Sequence, residues 1–514
     1  MSKETIAKNT IFLYFRMILT MLVTLYTSRV ILHVLGIEDF GIYQSVGGVV
    51  ALLSFVNTAL SAGSSRFITF ELGQNNIDRL KKTFSSVLIV HTILAIFVVL
   101  VAESVGLWFV FNKLVIAPDR MEAAVFAYHF SVATIFLTIT QVPYNASIIS
   151  HEKMSIYAYL SILEVLLKLA IVFLLELASW DKLKVYAILL CFVQFGVAYS
   201  YRIYCKRKFQ ECRGSFSFDK GIVKNILNYS SWNLITNTAA AAVTHGTTVL
   251  TNMFFNPSVV AARAIANQVN GAACQLVQNF RNAVNPQIVK RFAQDDIDGS
   301  KRLLLISTRI SFFLMLFLCV PVCFEADVIL RLWLGVVPEH AVTFLRLVIV
   351  STLFQTFSQS FYTALYAKGR IRENAIFTSL VGFLTLFVIF VLFKCGFPAV
   401  SLAWCVLIEE TFLALVVKPL LVIKIAGYKW KDVWMVFTPC LLVAILAIPV
   451  PLVVFIMLPS YLSSEIIRFF VMVPLSILFV GVFVWLIGLD SETKVFVSSI
   501  LKKLMKKKST ENAL

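Results

Sequence analysis

Four arginines lie inside or beside long apolar stretches of the sequence: Arg29, Arg66, Arg263 and Arg281. A charged side chain at the centre of a bilayer costs at least about 2.5–3.5 kcal/mol, so such residues usually face a protein interior or a water-filled cavity. A guanidinium can hold two oxygens of one phosphate group. The four arginines therefore predict a cationic path that binds phosphate. The alternative is that they pair with carbonyl groups at helix ends and only orient the helices.

Neutral polar side chains collect on the same stretches, where a lipid-facing helix would not tolerate them. The candidates for binding hydroxyl-rich groups are Asn57, Asn233, Asn237, Asn267, Gln275 and Asn279. Amides donate and accept hydrogen bonds, which suits a sugar chain. Together with the arginines they predict a cavity for a phosphorylated, hydroxyl-rich ligand.

Acidic residues inside apolar stretches are fewer. Glu409 and Glu410 are adjacent, so on a helix they point about 100° apart. Glu164 lies four residues before Lys168, a spacing that predicts an ion pair within one helix. A buried carboxylate can also carry H⁺ or Na⁺, so Glu164, Glu409 and Glu410 are the candidates for ion coupling. No other cofactor is expected, because the nine cysteines show no metal or redox spacing.

The composition places these residues in a membrane. The chain has 514 residues, of which 59% are hydrophobic and only 14% charged. Its mean hydropathy is +0.86. A soluble core cannot bury that much apolar surface, so we predict an all-α integral membrane protein. The net charge of +17 lies mainly in short loops, as the positive-inside rule requires, and does not indicate nucleic-acid binding.

A membrane-spanning helix needs about 20 apolar residues, and on this basis we predict fourteen spans. They cover about 10–34, 42–66, 84–111, 122–143, 155–177, 184–204, 225–254, 258–288, 303–325, 341–367, 373–394, 398–423, 433–457 and 465–488. With the N-terminus in the cytoplasm, the inside loops and termini hold about 30 Lys and Arg and the outside loops about six. Both termini are therefore predicted to be cytoplasmic.

One loop sequence occurs twice in the chain. The stretch "ITFELGQNNIDRLKK" at 68–82 aligns without a gap with "IVKRFAQDDIDGSKR" at 288–302. Six predicted spans separate the copies, and an even number relates two halves by an axis along the membrane normal. The prediction is two parallel-repeat six-helix bundles plus a C-terminal helix pair. The boundaries are an N-terminal bundle at 1–205, a basic linker at 206–224, a second bundle at 225–425, the helix pair at 426–488 and a basic tail at 489–514.

The opening segment "LYTSRVILHVLGIEDFGIYQSVGGVV" resembles the start of the polysaccharide transport branch of the MOP exporter superfamily. The similar positions are Arg29, Leu35-Gly36 and the run from Asp39 to Tyr43. Twelve helices in two halves plus a further pair also resemble that superfamily. The resemblance implies a Wzx-type flippase, which moves undecaprenyl-pyrophosphate-linked oligosaccharide across the bacterial inner membrane for O-antigen, capsule or exopolysaccharide synthesis. The lipid II flippases are a sister branch with the same plan.

This resemblance implies a transporter and not an enzyme, acting by alternating access between the halves. Its partners would be the lipid-linked oligosaccharide, membrane lipid and other polysaccharide-assembly proteins, with the chain itself a monomer. One alternative is a MATE-like exporter of small solutes, although its cavity would be expected to be acidic. Another is a membrane enzyme of the same pathway, but the sequence lacks paired catalytic carboxylates and nucleotide-binding motifs.

Overall fold

Helices follow one another through the described part of the chain. The computed structural model describes residues 3–74, 76–151, 153–213, 217–370, 372–457, 464–490 and 494, and no β-strand occurs among them. The first nine helices are α1 (Lys3–Leu52), α2 (Phe55–Gly73), α3 (Ile77–Val101), α4 (Leu107–Lys113), α5 (Met121–Ser150), α6 (Met154–Glu176), α7 (Lys182–Lys208), α8 (Lys220–Phe254) and α9 (Pro257–Ala293). The next eight are α10 (Ile297–Leu334), α11 (Ala341–Ala367), α12 (Arg372–Lys394), α13 (Ser401–Phe412), α14 (Lys418–Leu421), α15 (Trp430–Ala447), α16 (Pro449–Met457) and α17 (Glu465–Phe483).

Ten helical segments of the described chain are long and apolar enough to cross a membrane. They are Leu19–Leu52, Ile77–Lys113, Pro118–Ser150, Ser155–Glu176, Lys182–Lys208, Ile297–Leu334, Ala341–Ala367, Arg372–Lys394, Trp430–Met457 and Glu465–Gly488. The other four predicted spans, at 42–66, 225–254, 258–288 and 398–423, are largely helical but are not among the ten. The all-helical membrane class is confirmed, and the count of fourteen stays a prediction.

The first two predicted spans are divided differently in the structure. The chain bends at Gly36, whose φ of 79° is one that residues with a Cβ rarely adopt. The helix then continues to Leu52 and breaks at Leu53 and Ser54, whose amides bond to carbonyls three residues back. The predicted single span over 42–66 is therefore interrupted in the structure. No glycine or proline marks this second break, so composition gives no signal for it.

In both copies of the repeated loop, one side chain caps the helix that follows. Asn76 caps α3 by accepting a 3.0 Å hydrogen bond from the amide of Arg79. Asp296, its equivalent in the second copy, caps α10 by accepting a 2.9 Å bond from the amide of Gly299. A short polar residue at this position satisfies amides that the first helical turn leaves free. The likeness extends to this helix cap, while the repeat of whole bundles stays a prediction.

Two compact units make up the chain. The first comprises Met1–Gln268, Trp333–Ala341 and Ser379–Cys405, and the second comprises Val269–Leu332, Val342–Thr378 and Val406–Leu514. Nothing in these units tests the predicted boundaries at 206–224 and 426–488, which stay predictions.

The first unit packs around buried aliphatic side chains of α1, α3 and α5. Ile42, Val46, Ala95 and Tyr128 are fully buried members of one hydrophobic cluster. The Tyr128 hydroxyl donates a 2.7 Å bond to the carbonyl of Ala102, at the start of a π-helical segment between α3 and α4. A buried phenol needs such a partner, so this bond ties α5 to that segment.

Aromatic rings form the centre of the second unit. Phe312 of α10 and Phe357 of α11 stack with centroids 4.7 Å apart. Phe437 of α15 meets Phe357 edge-on at 4.8 Å. Fully buried rings of this kind supply much of the apolar burial that holds helices together. They pack α10, α11 and α15 together, while polar residues of α11 lie elsewhere on the same helix.

Candidate functional site

Arg281 of α9 is buried in the second unit and is held by one residue of α11. Its guanidinium donates to the side-chain oxygen of Gln359, and also to the main-chain oxygen of Gln359 at 2.5 Å. Its Nε atom is buried and has no hydrogen-bond partner among the described residues. Buried guanidinium donors are normally all satisfied. Arg281 therefore retains capacity to bind an acceptor.

The hydrogen bonds continue from Gln359 to a carboxylate. The Gln359 Nε2 donates to the side-chain oxygen of Gln355 at 3.1 Å, one helical turn away. The Gln355 Nε2 in turn donates to Glu410 of α13 at 2.8 Å. Arg281 and Glu410, which the sequence singled out for different roles, are thus the two ends of one chain of hydrogen bonds.

A second cation lies close by. Lys418 of α14 is buried, and its ammonium donates to the side-chain oxygen of Asn374 and, at 2.9 Å, to the hydroxyl of Thr378. Asn374 and Thr378 are one turn apart on α12. Glu410 and Lys418 also attract each other electrostatically. A buried ammonium needs such oxygens and a countercharge, because desolvation disfavours its charged form.

These groups line a cavity of about 410 Å³. Its lining comprises Gln278, Arg281, Gln355, Ser358, Gln359, Tyr362, Asn374, Thr378, Glu410, Leu413 and Lys418. A smaller cavity of about 180 Å³ shares Gln278, Gln355 and Gln359 with it and is also lined by Gln275. The larger cavity therefore has two basic side chains, one carboxylate, and amides and hydroxyls.

This arrangement suits an anionic ligand that also carries hydroxyl groups. Two cations against one carboxylate leave the cavity with a net positive charge, and the Nε of Arg281 has no partner within the described part of the chain. Amides and hydroxyls add neutral hydrogen bonds. The described residues contain no group of His, Cys, Asp and Glu side chains able to hold a metal ion.

The remaining predicted arginines with described side chains are in the first unit. Arg263 of α9 donates to the hydroxyls of Thr247 and, at 2.7 Å, Thr248, both on α8. Arg29 is exposed and has no polar partner among the described residues. Within the described part of the chain, Arg29 and Arg263 do not contact each other. Arg263 is thus held by α8, while Arg29 stays a prediction without structural support.

Four other predicted site residues have side chains outside the described part of the structure: Arg66, Asn57, Asn233 and Asn237. Asn267 is exposed on α9, and Asn279 is half-buried on the same helix. Neither lines the two cavities described above. Their roles stay predictions.

The other acidic candidates differ from Glu410. Glu164 forms the expected ion pair with Lys168, at 2.6 Å. Glu409 is buried but does not line the cavity. This outcome follows from the roughly 100° between neighbouring helical side chains, which allows only one of the two adjacent acids to face the cavity.

Sequence reasoning missed eight residues of the cavity lining: Gln355, Ser358, Gln359, Tyr362, Asn374, Thr378, Leu413 and Lys418. One signal was available, because Lys418 lies eight residues after Glu410 within a predicted span, about two helical turns along the same side of a helix. Gln355 and Gln359 also have the spacing of helical neighbours. Nothing in the sequence linked either pair to Arg281.

The fold is similar to those of solved membrane transporters, at low sequence identity. The lipid II flippase MurJ in an inward closed conformation matches with a TM-score of 0.70 and 12% identity, covering 96% of this chain and 100% of that one. An inward-facing multidrug resistance transporter of the MATE family matches with a TM-score of 0.67 and 13% identity, covering 79% of this chain and 95% of that one.

A third similar structure is a MOP-superfamily transporter from Pyrococcus furiosus, described as having a binding pocket whose reverse polarity suggests a different function. Its TM-score is 0.59 at 12% identity, and the match covers 82% of this chain and 97% of that one. No family model matches the sequence, and no curated protein matches it. At these identities the likeness shows the fold alone.

Proposed function

We propose that this chain, which has the fold of MOP-superfamily transporters, is a flippase for polyprenyl-pyrophosphate-linked oligosaccharide in the bacterial inner membrane. The substrate would be an undecaprenyl-pyrophosphate glycan destined for O-antigen, capsule or exopolysaccharide. Its pyrophosphate and sugars would pass through the protein, while the polyprenyl tail stays in the bilayer. Alternating access would move it, with the protein acting as a monomer beside other polysaccharide-assembly proteins.

The observation that carries this proposal is Arg281 in its polar cavity. A pyrophosphate bears negative charge on oxygens that a guanidinium can bind in pairs. The Nε of Arg281 has no partner among the residues that the structure describes, and Lys418 adds a second positive charge to the same cavity. The amides of Gln278, Gln355 and Gln359 suit sugar hydroxyls.

Chain length supports the flippase over an exporter of small solutes. The MATE-family match leaves about a fifth of this chain uncovered, whereas the lipid II flippase match covers 96% of this chain and 100% of the flippase. The C-terminal helices α15, α16 and α17 contribute two of the ten apolar segments. A further apolar helix pair suits a substrate with a long lipid tail.

Glu410 favours a second candidate, a MATE-like exporter of small cationic solutes. A buried carboxylate in a cavity can bind a cation. In this cavity, however, Lys418 already offers Glu410 a positive charge, and Arg281 would repel a cationic solute. An enzyme of the same pathway is the weakest alternative, because the similar folds belong to transporters.

Complementation tests the proposal. A bacterial strain lacking its own O-antigen flippase would receive the wild-type gene, the Arg281→Ala variant or the Arg331→Ala variant. Arg331 is the matched control because it is a half-exposed arginine paired with Asp327 and Glu465, away from the cavity. We expect surface glycan with wild type and Arg331→Ala, and none with Arg281→Ala. Equal glycan from both variants, at equal protein levels in the membrane, would refute a role for Arg281.

A further inference from the structure

The hydrogen-bond chain from Arg281 to Glu410 has ends of opposite character. An arginine side chain only donates hydrogen bonds, and an ionised carboxylate only accepts them. Between them stand the amides of Gln359 and Gln355, each of which has one donor group and one acceptor oxygen. The chain Arg281 to Gln359 to Gln355 to Glu410 is therefore a directed one, in which every bond donates toward the carboxylate.

This direction fixes how both amides are turned. Arg281 requires an oxygen from Gln359, so Gln359 presents its NH₂ group to Gln355. Gln355 must then accept with its oxygen and present its own NH₂ group to Glu410. A charged acceptor at the end makes the last bond about twice as strong as a neutral one, and successive bonds in such a chain polarise each other.

We propose that the protonation state of Glu410 controls, through Gln355 and Gln359, how firmly Arg281 is held away from substrate phosphate. This proposal rests on the flippase function proposed above and adds its regulation. Ionised Glu410 favours the arrangement in which Gln359 occupies Arg281. A proton taken from solution onto a Glu410 oxygen replaces the charged acceptor with a neutral carboxyl, one of whose oxygens becomes a donor. The chain then loses its preferred direction, and Arg281 is released more readily.

The coupling is reciprocal. If protonation of Glu410 helps phosphate to bind Arg281, phosphate bound at Arg281 must by the same factor favour protonation of Glu410. Binding of the pyrophosphate on one side of the membrane would thus take up a proton, and release on the other side would return it. We call the hydrogen-bond chain Arg281–Gln359–Gln355–Glu410 the relay. Within it, Gln355 and Gln359 are positioning residues.

Other charged and titratable groups face this relay. Lys418 of α14 attracts the Glu410 carboxylate, and Cys274 of α9 interacts with it electrostatically. Glu409 is its neighbour in the chain, and Arg281 is at the far end of the relay. Tyr362 of α11 also lines the cavity, but a phenol stays neutral between about pH 6 and 8. Gln355, Gln359, Asn374 and Thr378 of α11 and α12 do not titrate. Glu410 is the carboxylate of the cavity lining, so its protonation is the one that changes the hydrogen bonds of the relay.

A binding measurement on the purified full-length protein in detergent tests the relay. The probe is a short-chain prenyl pyrophosphoryl sugar, a pyrophosphate diester that keeps its charge across the range used. Its dissociation constant is measured at about pH 8 and about pH 6. We expect wild type to bind about fivefold more tightly at the lower pH, within the usual range of coupling between two sites.

The decisive variant is Gln355→Met, which breaks the relay without removing a titratable group or a contact of Arg281. Its affinity should be the same at both pH values, within about twofold. Gln355→Asn, too short to reach both neighbours, should behave alike and covers the case in which Gln355→Met fails to fold. Glu410→Gln should also lose the pH dependence. The matched control is Ser360→Ala on the same helix, whose hydroxyl bonds only to its own helix, and it should keep the wild-type dependence.

The outcomes separate the relay from the proposed function. Wild-type pH dependence in Gln355→Met or Gln355→Asn would overturn the relay and leave the flippase proposal intact. Wild-type binding that does not change with pH would also overturn the relay. No binding of the probe by wild type at either pH would instead contradict the proposed function, and with it the relay.

Discussion

The guanidinium of Arg281 donates hydrogen bonds to both the side-chain and the main-chain oxygen of Gln359, 78 residues further along the chain. One residue thus occupies two donors of the arginine that the proposed function assigns to substrate phosphate. The contact ties α9 to α11 and explains how a buried guanidinium is tolerated before substrate arrives. It also means that substrate must compete with Gln359 for Arg281.

Replacing Lys418 with methionine should destabilise the protein and make its stability depend on Glu410. The change leaves Asn374 and Thr378 without their donor and Glu410 without an offsetting charge. An unsatisfied buried polar group costs about 1–3 kcal/mol. In a double-mutant cycle of thermal unfolding, adding Glu410→Gln to Lys418→Met should cost less than the sum of the single changes, by about 0.5–3 kcal/mol. Strictly additive effects would show that the two charges do not interact.

Gly41→Ala should destabilise the first unit. A Cβ on Gly41 would lie 2.0 Å from the carbonyl oxygen of Pro257, which is backbone and cannot turn aside. Forcing an extra methyl into such a contact costs about 1–3 kcal/mol. The control is Gly47→Ala on the same helix, whose Cβ would meet nothing within 4 Å. We expect that control to be neutral or to stabilise by about 0.5–1 kcal/mol, as alanine does inside a helix. Equal melting temperatures for the two variants would contradict the close approach.

The folding stability of the protein should fall at acidic pH, when the Asp181 carboxyl becomes protonated. Burial raises the pKa of its carboxyl, but hydrogen bonds from Arg120 and from the amides of Lys184 and Leu183 outweigh burial, so the folded-state pKa lies below the ordinary value. Arg120 is 2.7 Å from Asp181. A carboxyl with a lowered pKa stabilises the fold fully above its unfolded pKa, and the contribution is lost as the pH falls through the folded-state pKa.

Thermal unfolding between about pH 6 and pH 3 measures this contribution. The Asp181→Asn variant should be less stable than wild type at the upper end and should lose less stability on acidification. Parallel curves for the two proteins would show that Asp181 does not contribute in this way.

The two copies of the repeated loop should respond alike to loss of their caps. Asn76→Ala and Asp296→Ala each remove the side-chain oxygen that accepts an amide of the following helix. Each should cost about 1 kcal/mol, the usual effect of losing an N-cap. Asp298→Asn serves as a control, because Asp298 is in the first turn of α10 beyond the cap. A cost confined to one copy would contradict the structural equivalence of the loops.

The sequence predicted the helices well where the signal is local. Long apolar runs correspond to ten helical segments that are long and apolar enough to cross a membrane, and the spacing of Glu164 and Lys168 predicted their ion pair. The bend at Gly36 falls in the stretch 35–41, which the prediction left between the first two spans. The break at Leu53 and Ser54 was not expected, because both residues are compatible with a helix.

The candidate site was predicted only in part. Arg281 and Glu410 stood out because a charge in an apolar helix is conspicuous. Gln355, Gln359 and Lys418 were missed because the site draws side chains from five helices, α9 and α11 to α14, and their convergence is a tertiary property. The sequence could name the charged ends of the hydrogen-bond chain, but not the amides that connect them.

The most direct test of the central claim is flipping in proteoliposomes that contain the purified protein. A fluorescent prenyl pyrophosphoryl sugar is added, and the fraction accessible to an external quencher is followed with time. We predict that wild type moves the probe between leaflets, and that Arg281→Ala, inserted to the same extent, does not. Failure of wild type to move the probe, in vesicles that do expel a small cationic dye, would contradict the account and indicate a solute exporter.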